Sequence, residues 1–214
     1  MGYNIKEEKY NIPWEDKNHN FFISFFLTFY DCLRRPTKFF NNISRQTSDD
    51  LPLIYGIVGM SIGILFFNLY HMVIKNSFMH YDFDELSILV NKLKIAFLIP
   101  QTIFLIPILS LVVIYLFSTC YHIIVYFVSK NNNKFLVSRN VICYALGSSF
   151  LLNVIPFLGF LLCMHGFFIL FIIGFRRVHN LSRLSAFLIL IAPVFILIFI
   201  FSFVTSMVLF LTNY

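Results

Sequence analysis

The hydrophobic and polar positions form long apolar tracts that are separated by short charged segments. The longest tract runs from Arg139 to Phe175 and contains no Lys, Arg, Asp or Glu after its first residue. As one straight helix, at ~1.5 Å per residue, it would extend about 50 Å, well beyond a hydrocarbon core of ~30 Å. Pro156 and Gly159 interrupt it, because Pro ends a helix and Gly permits a tight turn. The pattern therefore predicts a helical hairpin.

The other apolar tracts predict three further membrane-spanning helices. The tract that starts at Ile95 is too long for one untilted span, and Pro100 and Pro107 predict kinks in its first part. One kinked helix is the preferred interpretation, and a re-entrant piece or two half-helices is the alternative. Pro193 predicts a kink in the last tract. The predicted spans cover about 51–74, 95–128, 142–155, 158–175 and 185–211.

A shorter tract before the first span predicts an amphipathic helix over about 20–35. Its phenylalanines, including Phe25 and Phe29, share one face at ~100° per residue, whereas Ser24 and Thr28 lie on the opposite face. The tract is too short to span a bilayer, so we predict a helix that lies in the headgroup region. Packing on the bundle instead of on lipid is the alternative. The predicted membrane-interface residues are Trp14, Phe25, Phe29, Arg34, Arg35 and Lys38.

The composition agrees with an all-α polytopic membrane protein. Hydrophobic residues make up 59% of the chain and charged residues 12%, whereas soluble domains are about a quarter charged. This excludes a soluble or nucleic-acid-binding protein. We predict a cytoplasmic N-terminal segment, residues 1–50, followed by one membrane domain, residues 51–214.

The distribution of basic residues predicts the orientation. With five spans, 13 of the 16 Lys and Arg fall on the side that carries the N-terminus, the 130–139 loop and the 176–183 loop. By the positive-inside rule that side is cytoplasmic, so the C-terminus lies outside. The hairpin turn would then lie on the outer side.

Small residues and prolines are the candidates for structural roles. Gly59 and Gly63 form a small-xxx-small pattern that lets a neighbouring helix approach closely. Arg139 is expected to be a snorkelling residue at the membrane edge. The structural and packing candidates are Pro36, Gly56, Gly59, Gly63, Pro100, Pro107, Arg139, Tyr144, Pro156, Gly159 and Pro193.

The sequence offers little catalytic chemistry. The predicted spans contain no Asp, Glu, Lys or Arg, whereas coupled transporters usually bury at least one ionisable group. The four cysteines form no CxxC pair, no acidic residue lies in the apolar tracts to partner His122, and His165 has no second ligand at helical spacing. We predict no catalytic residue, no cofactor and no metal, and hence a protein that is not an enzyme.

Several short segments together resemble the Yip1 family of five-span membrane proteins, especially its prokaryotic branch. The resemblance implies a non-enzymatic protein of a prokaryotic cytoplasmic membrane. Eukaryotic relatives are associated with Rab-type GTPases, but the chain lacks their long cytosolic N-terminal region, which puts a GTPase partner in doubt. The segments that carry the resemblance are Pro13–Glu15, Pro36–Phe40, Pro52–Gly56, Arg139–Tyr144, Ile155–Gly159, Ile173–Gly174, His179 and Ser182–Arg183.

Two functions follow as hypotheses. The first is a membrane scaffold or organiser, whose partners are the lipid bilayer and other membrane proteins or further copies of the chain. The alternative is a permease or channel for a small molecule or lipid, with kinked helices around a central cavity.

Overall fold

The computed structural model describes residues 11–16, 20–43, 50–78, 104–129 and 134–212. In these ranges the chain is helical, with short connections. The N-terminal 3-10 turn Pro13–Glu15 precedes the helices α1 (Phe21–Arg34), α2 (Pro36–Asn41), α3 (Leu51–Phe78), α4 (Ile106–Val128), α5 (Phe135–Leu151), α6 (Gly159–Val178) and α7 (Arg183–Thr212).

The chain is an integral membrane protein by the length and apolarity of its helices. Among the described residues, four segments qualify as spans: Leu51–His71, Ile106–Val128, Phe135–Val154 and Gly159–Val178. A shorter apolar stretch, Arg183–Ile196, forms the first part of α7.

Helix α5 is the central helix of the bundle. About 78% of its span is buried inside the protein, against about a third for α3 and α6. It packs on α3, α4 and α6, and its small residues Gly147, Ser148 and Ser149 are buried between them. Helix α5 therefore has hardly any surface left for lipid.

Glycines on α3 account for its close approach to α5. A Cβ at Gly59 would lie 2.6 Å from the carbonyl oxygen of Gly147, and one at Gly56 would lie 3.1 Å from Cα of Cys143. A Cβ at Gly63 would collide with the carbonyl group of Phe150. Only glycine, which has no Cβ, lets the two backbones stay in contact here.

The predicted hairpin is present. After α5 comes a 3-10 turn, Leu152–Val154, and α6 begins at Gly159. Phe157 at the apex has φ 62°, a conformation that L-residues rarely adopt outside turns. A Cβ at Gly159 would lie 2.7 Å from Cα of Asn153, so the return of the chain is tight.

One predicted span boundary was wrong. Helix α5 begins at Phe135, not near residue 142, because the segment from 135 to 139 packs into the bundle and continues the helix. Pro107 lies in the first turn of α4, directly after the π-helical residues Phe104 and Leu105, and the tract before residue 104 lies outside the described residues. Pro100 lies outside the described residues, whereas Pro193 lies within α7.

Helix α1 packs on the bundle with the side that the sequence marks as polar. Ser24, Thr28 and Cys32 are buried, while Phe22 and Phe26 are exposed. Phe25, which we predicted at the lipid interface, is buried instead, because it turns towards Trp14 and α3. Helix α1 therefore has both a protein-facing side and an outward apolar side.

Candidate functional site

The N-terminal turn Pro13–Glu15 docks on the bundle through hydrogen bonds of Trp14. The backbone N–H of Trp14 donates to Oγ1 of Thr28 over 2.9 Å, and its indole Nε1–H donates to the carbonyl oxygen of Leu51 over 2.6 Å. The first bond joins the turn to α1 and the second to the start of α3. Trp14 is buried, so its predicted place at the lipid interface was wrong: the indole meets protein.

The next residue reaches α5. The Tyr144 hydroxyl donates to Oε1 of Glu15 over 2.7 Å, across 129 positions of sequence. Tyr144 is buried in the middle of α5. A carboxylate from the N-terminal segment therefore satisfies a buried hydroxyl of the central helix, and a charge-assisted bond of this kind is stronger than a neutral one.

An aromatic cluster surrounds these hydrogen bonds. The ring centroid of Tyr55 lies 5.7 Å from that of Trp14, 5.1 Å from that of Phe25 and 5.3 Å from that of Tyr144. The Tyr55 hydroxyl lies 2.8 Å from Oγ of Ser148, so it also bonds to α5. Tilted and edge-to-face ring pairs at these distances are favourable beyond the area they bury. We call Trp14, Glu15, Phe25, Tyr55, Tyr144 and Ser148 the N-terminal junction.

An ion pair lies at the same end of the bundle. Nη1 of Arg139 lies 3.0 Å from Oδ1 of Asp50, and 3.5 Å from the hydroxyl of Tyr115 on α4. Arg139 is only 3% exposed, so it is not the membrane-edge arginine that we predicted. It belongs to a span, contrary to the expectation that the spans lack ionised residues. Asp50 supplies a carboxylate just before α3 begins.

Two histidines meet at one serine. Oγ of Ser138 lies 3.0 Å from Nδ1 of His122 and 3.1 Å from Nε2 of His179. A hydroxyl has one proton and two lone pairs, so Ser138 can donate to one ring at most, and the histidine tautomers set which ring nitrogens donate to it. His179 also stacks on Phe175 at 5.4 Å. The contact ties α4, α5 and the end of α6 together.

Cys32 is buried beside the junction. Its Sγ lies 4.0 Å from the carbonyl oxygen of Tyr144. Burial raises the pKa of the Cys32 thiol to about 12, so it stays protonated at neutral pH. A protonated, buried thiol is a poor nucleophile, and Cys32 acts as a small apolar packing residue.

The remaining predicted interface residues lie on both sides of α1 and α2. Phe29 is half-buried and packs against the core, while Arg34, Arg35 and Lys38 are exposed. The guanidinium of Arg34 lies over the ring of Tyr30, 5.3 Å from its centroid. Pro36 is the first residue of α2.

Chemically, this end of the bundle holds segments together. In the part of the chain that the structure describes, no group of three or more His, Cys, Asp or Glu is placed to hold a metal ion. The polar side chains bond to one another across helices, so the site is a set of cross-links between the N-terminal segment and the bundle.

Sequence reasoning missed Glu15, Asp50, Ser138 and Ser148 as partners. Each bonds to a residue at least 41 positions away, except Ser138 with His122, and no local pattern marks such a pair. The available signal was Pro13–Glu15 itself, an apolar-acidic segment just before an amphipathic helix.

Comparison with known families decides the assignment. The Yip1 domain matches residues 30–204, most of the chain. The chain belongs to the Yip1 family. No curated protein and no solved structure matches it. The Yip1 match starts within α1, so the docking turn precedes the matched region, whereas Tyr55, Arg139 and Tyr144 lie inside it.

Proposed function

We propose that this Yip1-family protein is a non-enzymatic membrane scaffold, which shapes the bilayer or gathers other membrane proteins around it. It has five spans, with the N-terminus in the cytoplasm of a prokaryotic cell and the C-terminus outside. The observation that carries the proposal is α1, a helix fixed to the bundle on one side and apolar on the other.

The outward side of α1 has the chemistry of a bilayer wedge. Its exposed residues include Phe22, Ile23, Phe26 and Leu27, and the exposed Arg34 follows at the end of the helix. Apolar rings beside basic residues favour insertion at the level of lipid headgroups, particularly anionic ones. Because the N-terminal junction holds the other side of α1, an inserted helix would transmit its position to the spans.

The packing of the interior supports a scaffold over a permease. The backbones of α3 and α5 are in contact at Gly59, and the aromatic rings of Tyr121, Phe171 and Phe175 fill the space between α4 and α6, with centroids 4.2–6.1 Å apart. A transport pathway would need these contacts to open. A permease for a small molecule or lipid stays the alternative, and solute or lipid flux in reconstituted liposomes separates the two.

Reconstitution tests the wedge. In liposomes that contain anionic lipid, the wild-type chain is expected to shift the population towards smaller, more curved vesicles in electron micrographs. The double variant Phe22→Ser/Phe26→Ser should lose most of this effect, because about 3–5 kcal/mol of apolar burial disappears. The matched control Phe22→Leu/Phe26→Leu keeps apolar side chains and should retain it.

Two outcomes would count against the proposal. One is a serine variant that curves vesicles as well as wild type does. The other is a flux of solute or lipid in liposomes with the wild-type protein that exceeds the flux in protein-free liposomes.

A further inference from the structure

The later part of the chain carries basic residues and no acidic ones. After Glu85 the sequence contains no Asp or Glu, although Lys and Arg recur as far as Arg183. A carboxylate partner for these cations can therefore come only from residues 1–85. The acidic residues that the structure describes there already have interactions of their own: Glu15, Asp16, Asp31 and Asp50.

Arg177 continues the side of α6 that packs on α2. Leu170, Gly174 and Arg177 follow at i, i+4 and i+7, so they share one face of the helix. This face touches α2 at Gly174, where a Cβ would lie 3.1 Å from Cε1 of Phe40. Arg177 lies about one helical turn further on, in a span that ends at Val178. Arg177 is therefore at the edge between α2 and α6, at the level of lipid headgroups.

The guanidinium of Arg177 is partly enclosed by protein. Its Nε is buried and has no hydrogen-bond partner among the described residues. The residue as a whole is part-exposed, so the outer Nη atoms, and not Nε, face the surroundings. A cation that is partly withdrawn from water without a counter-ion costs free energy. An anion at the Nη atoms would offset this cost.

The chemistry of this edge favours a phosphate. Arginine presents parallel N–H donors that match two oxygens of a phosphate, and such charge-assisted bonds are stronger than neutral ones. A second cation, Lys134, is exposed one turn before Ser138. Since Ser138 bonds to His179, the start of α5 lies beside the end of α6. Lys134 therefore adds positive charge at the same end of the bundle.

We propose that the edge between α2 and α6 binds the phosphate of an anionic membrane lipid, with the Nη atoms of Arg177 donating to two phosphate oxygens. A zwitterionic choline lipid binds less well, because its headgroup brings a positive charge towards these cations. The site goes beyond the scaffold function: it needs α2 and α6, and not the outward side of α1.

Native mass spectrometry of the full chain in mild detergent tests the site. With equal amounts of phosphatidylglycerol and phosphatidylcholine of the same acyl chains, wild type should retain about tenfold more of the former. Arg177→Gln should reduce this preference to about twofold or less. The matched control Arg183→Gln removes the same charge from an exposed residue just after α6, and its preference should stay within about twofold of wild type.

Three results would overturn the site. They are equal retention of the two lipids by wild type, an unchanged preference in Arg177→Gln, and equal losses in Arg177→Gln and Arg183→Gln. The third result would mean that general positive charge, and not a seat at Arg177, attracts the lipid. Arg177→Lys guards against a folding defect: it keeps the charge and the apolar stem but not the planar fork, so the preference should fall only about two- to fivefold.

Two further arms identify the source of the phosphate and separate this site from the wedge on α1. Inorganic phosphate in large excess should not displace the lipid, and displacement would assign the site to a soluble phosphate instead. Phe22→Ser/Phe26→Ser should keep the full preference for phosphatidylglycerol, whatever its effect on vesicle curvature. A loss of the preference in that variant would place the bound lipid on α1 and refute the site at α2 and α6.

Discussion

At the scale of single residues, polar side chains in this protein act by reaching across the bundle. Glu15 and Tyr144 are 129 positions apart and 2.7 Å apart in space. Burying a hydroxyl or a carboxylate without a partner costs free energy, whereas the pair satisfies both groups. The N-terminal segment is therefore held by specific bonds as well as by apolar contact.

Removing one hydroxyl tests this bond. Tyr144→Phe should lower the free energy of unfolding by roughly 1.5–3 kcal/mol, the range for hydrogen bonds to charged groups. Thermal unfolding in detergent measures the change. In a double-mutant cycle with Glu15→Gln, the two effects should be non-additive, because both variants alter the same contact. Additive effects would mean that the two side chains do not interact in the folded protein.

At the scale of elements, burial explains which sequence patterns were informative. The outward phenylalanines of α1 follow the amphipathic pattern, but the opposite side faces protein, where Thr28 accepts a bond from Trp14. Helical periodicity identifies two faces and does not say which solvent each one meets. The same limit applies to Arg139, whose position at the end of an apolar tract looked like a membrane edge.

The α3–α5 contact makes an element-level prediction. Gly59→Ala should destabilise the protein by about 1–3 kcal/mol, because its new Cβ would lie 2.6 Å from the backbone oxygen of Gly147. Thermal unfolding in detergent measures the difference in stability between this variant and the wild type.

The matched control for that variant is Gly166→Ala. Its Cβ would lie 2.9 Å from Cδ1 of Leu152, a flexible side-chain end that can rotate away, so the change should be within about 0.5 kcal/mol. Equal effects of the two substitutions would show that helix propensity, and not backbone contact, sets the response.

At the scale of the whole molecule, two ends of the bundle have different chemistry. One end carries the N-terminal junction and the ion pair of Arg139 with Asp50. The other carries the hairpin turn and a cleft between that turn and α3. An odd number of spans would place the two chain termini on opposite sides, with the turn outside.

Cysteine accessibility tests this topology. In a chain with Cys120→Ser, which removes the exposed native thiol, Phe157→Cys should react with a membrane-impermeant maleimide added to intact cells. Lys134→Cys, exposed before α5, should react only after the membrane is opened. The reverse pattern would invert the orientation, and labelling of both positions in intact cells would contradict the five-span arrangement.

The sequence by itself determined the all-helical membrane class and the hairpin turn at Pro156–Gly159. Both follow from local physics. A helical apolar tract longer than the thickness of a bilayer must turn back, and Pro and Gly determine the position of the turn. Gly59 and Gly63 were also readable as packing positions, since small residues matter wherever backbones touch. Only the tertiary structure decided that α5 is the central helix, that Glu15 bonds to Tyr144 and that α2 packs on α6. Those contacts join distant parts of the chain, and hydrophobic periodicity carries no information about which surfaces meet.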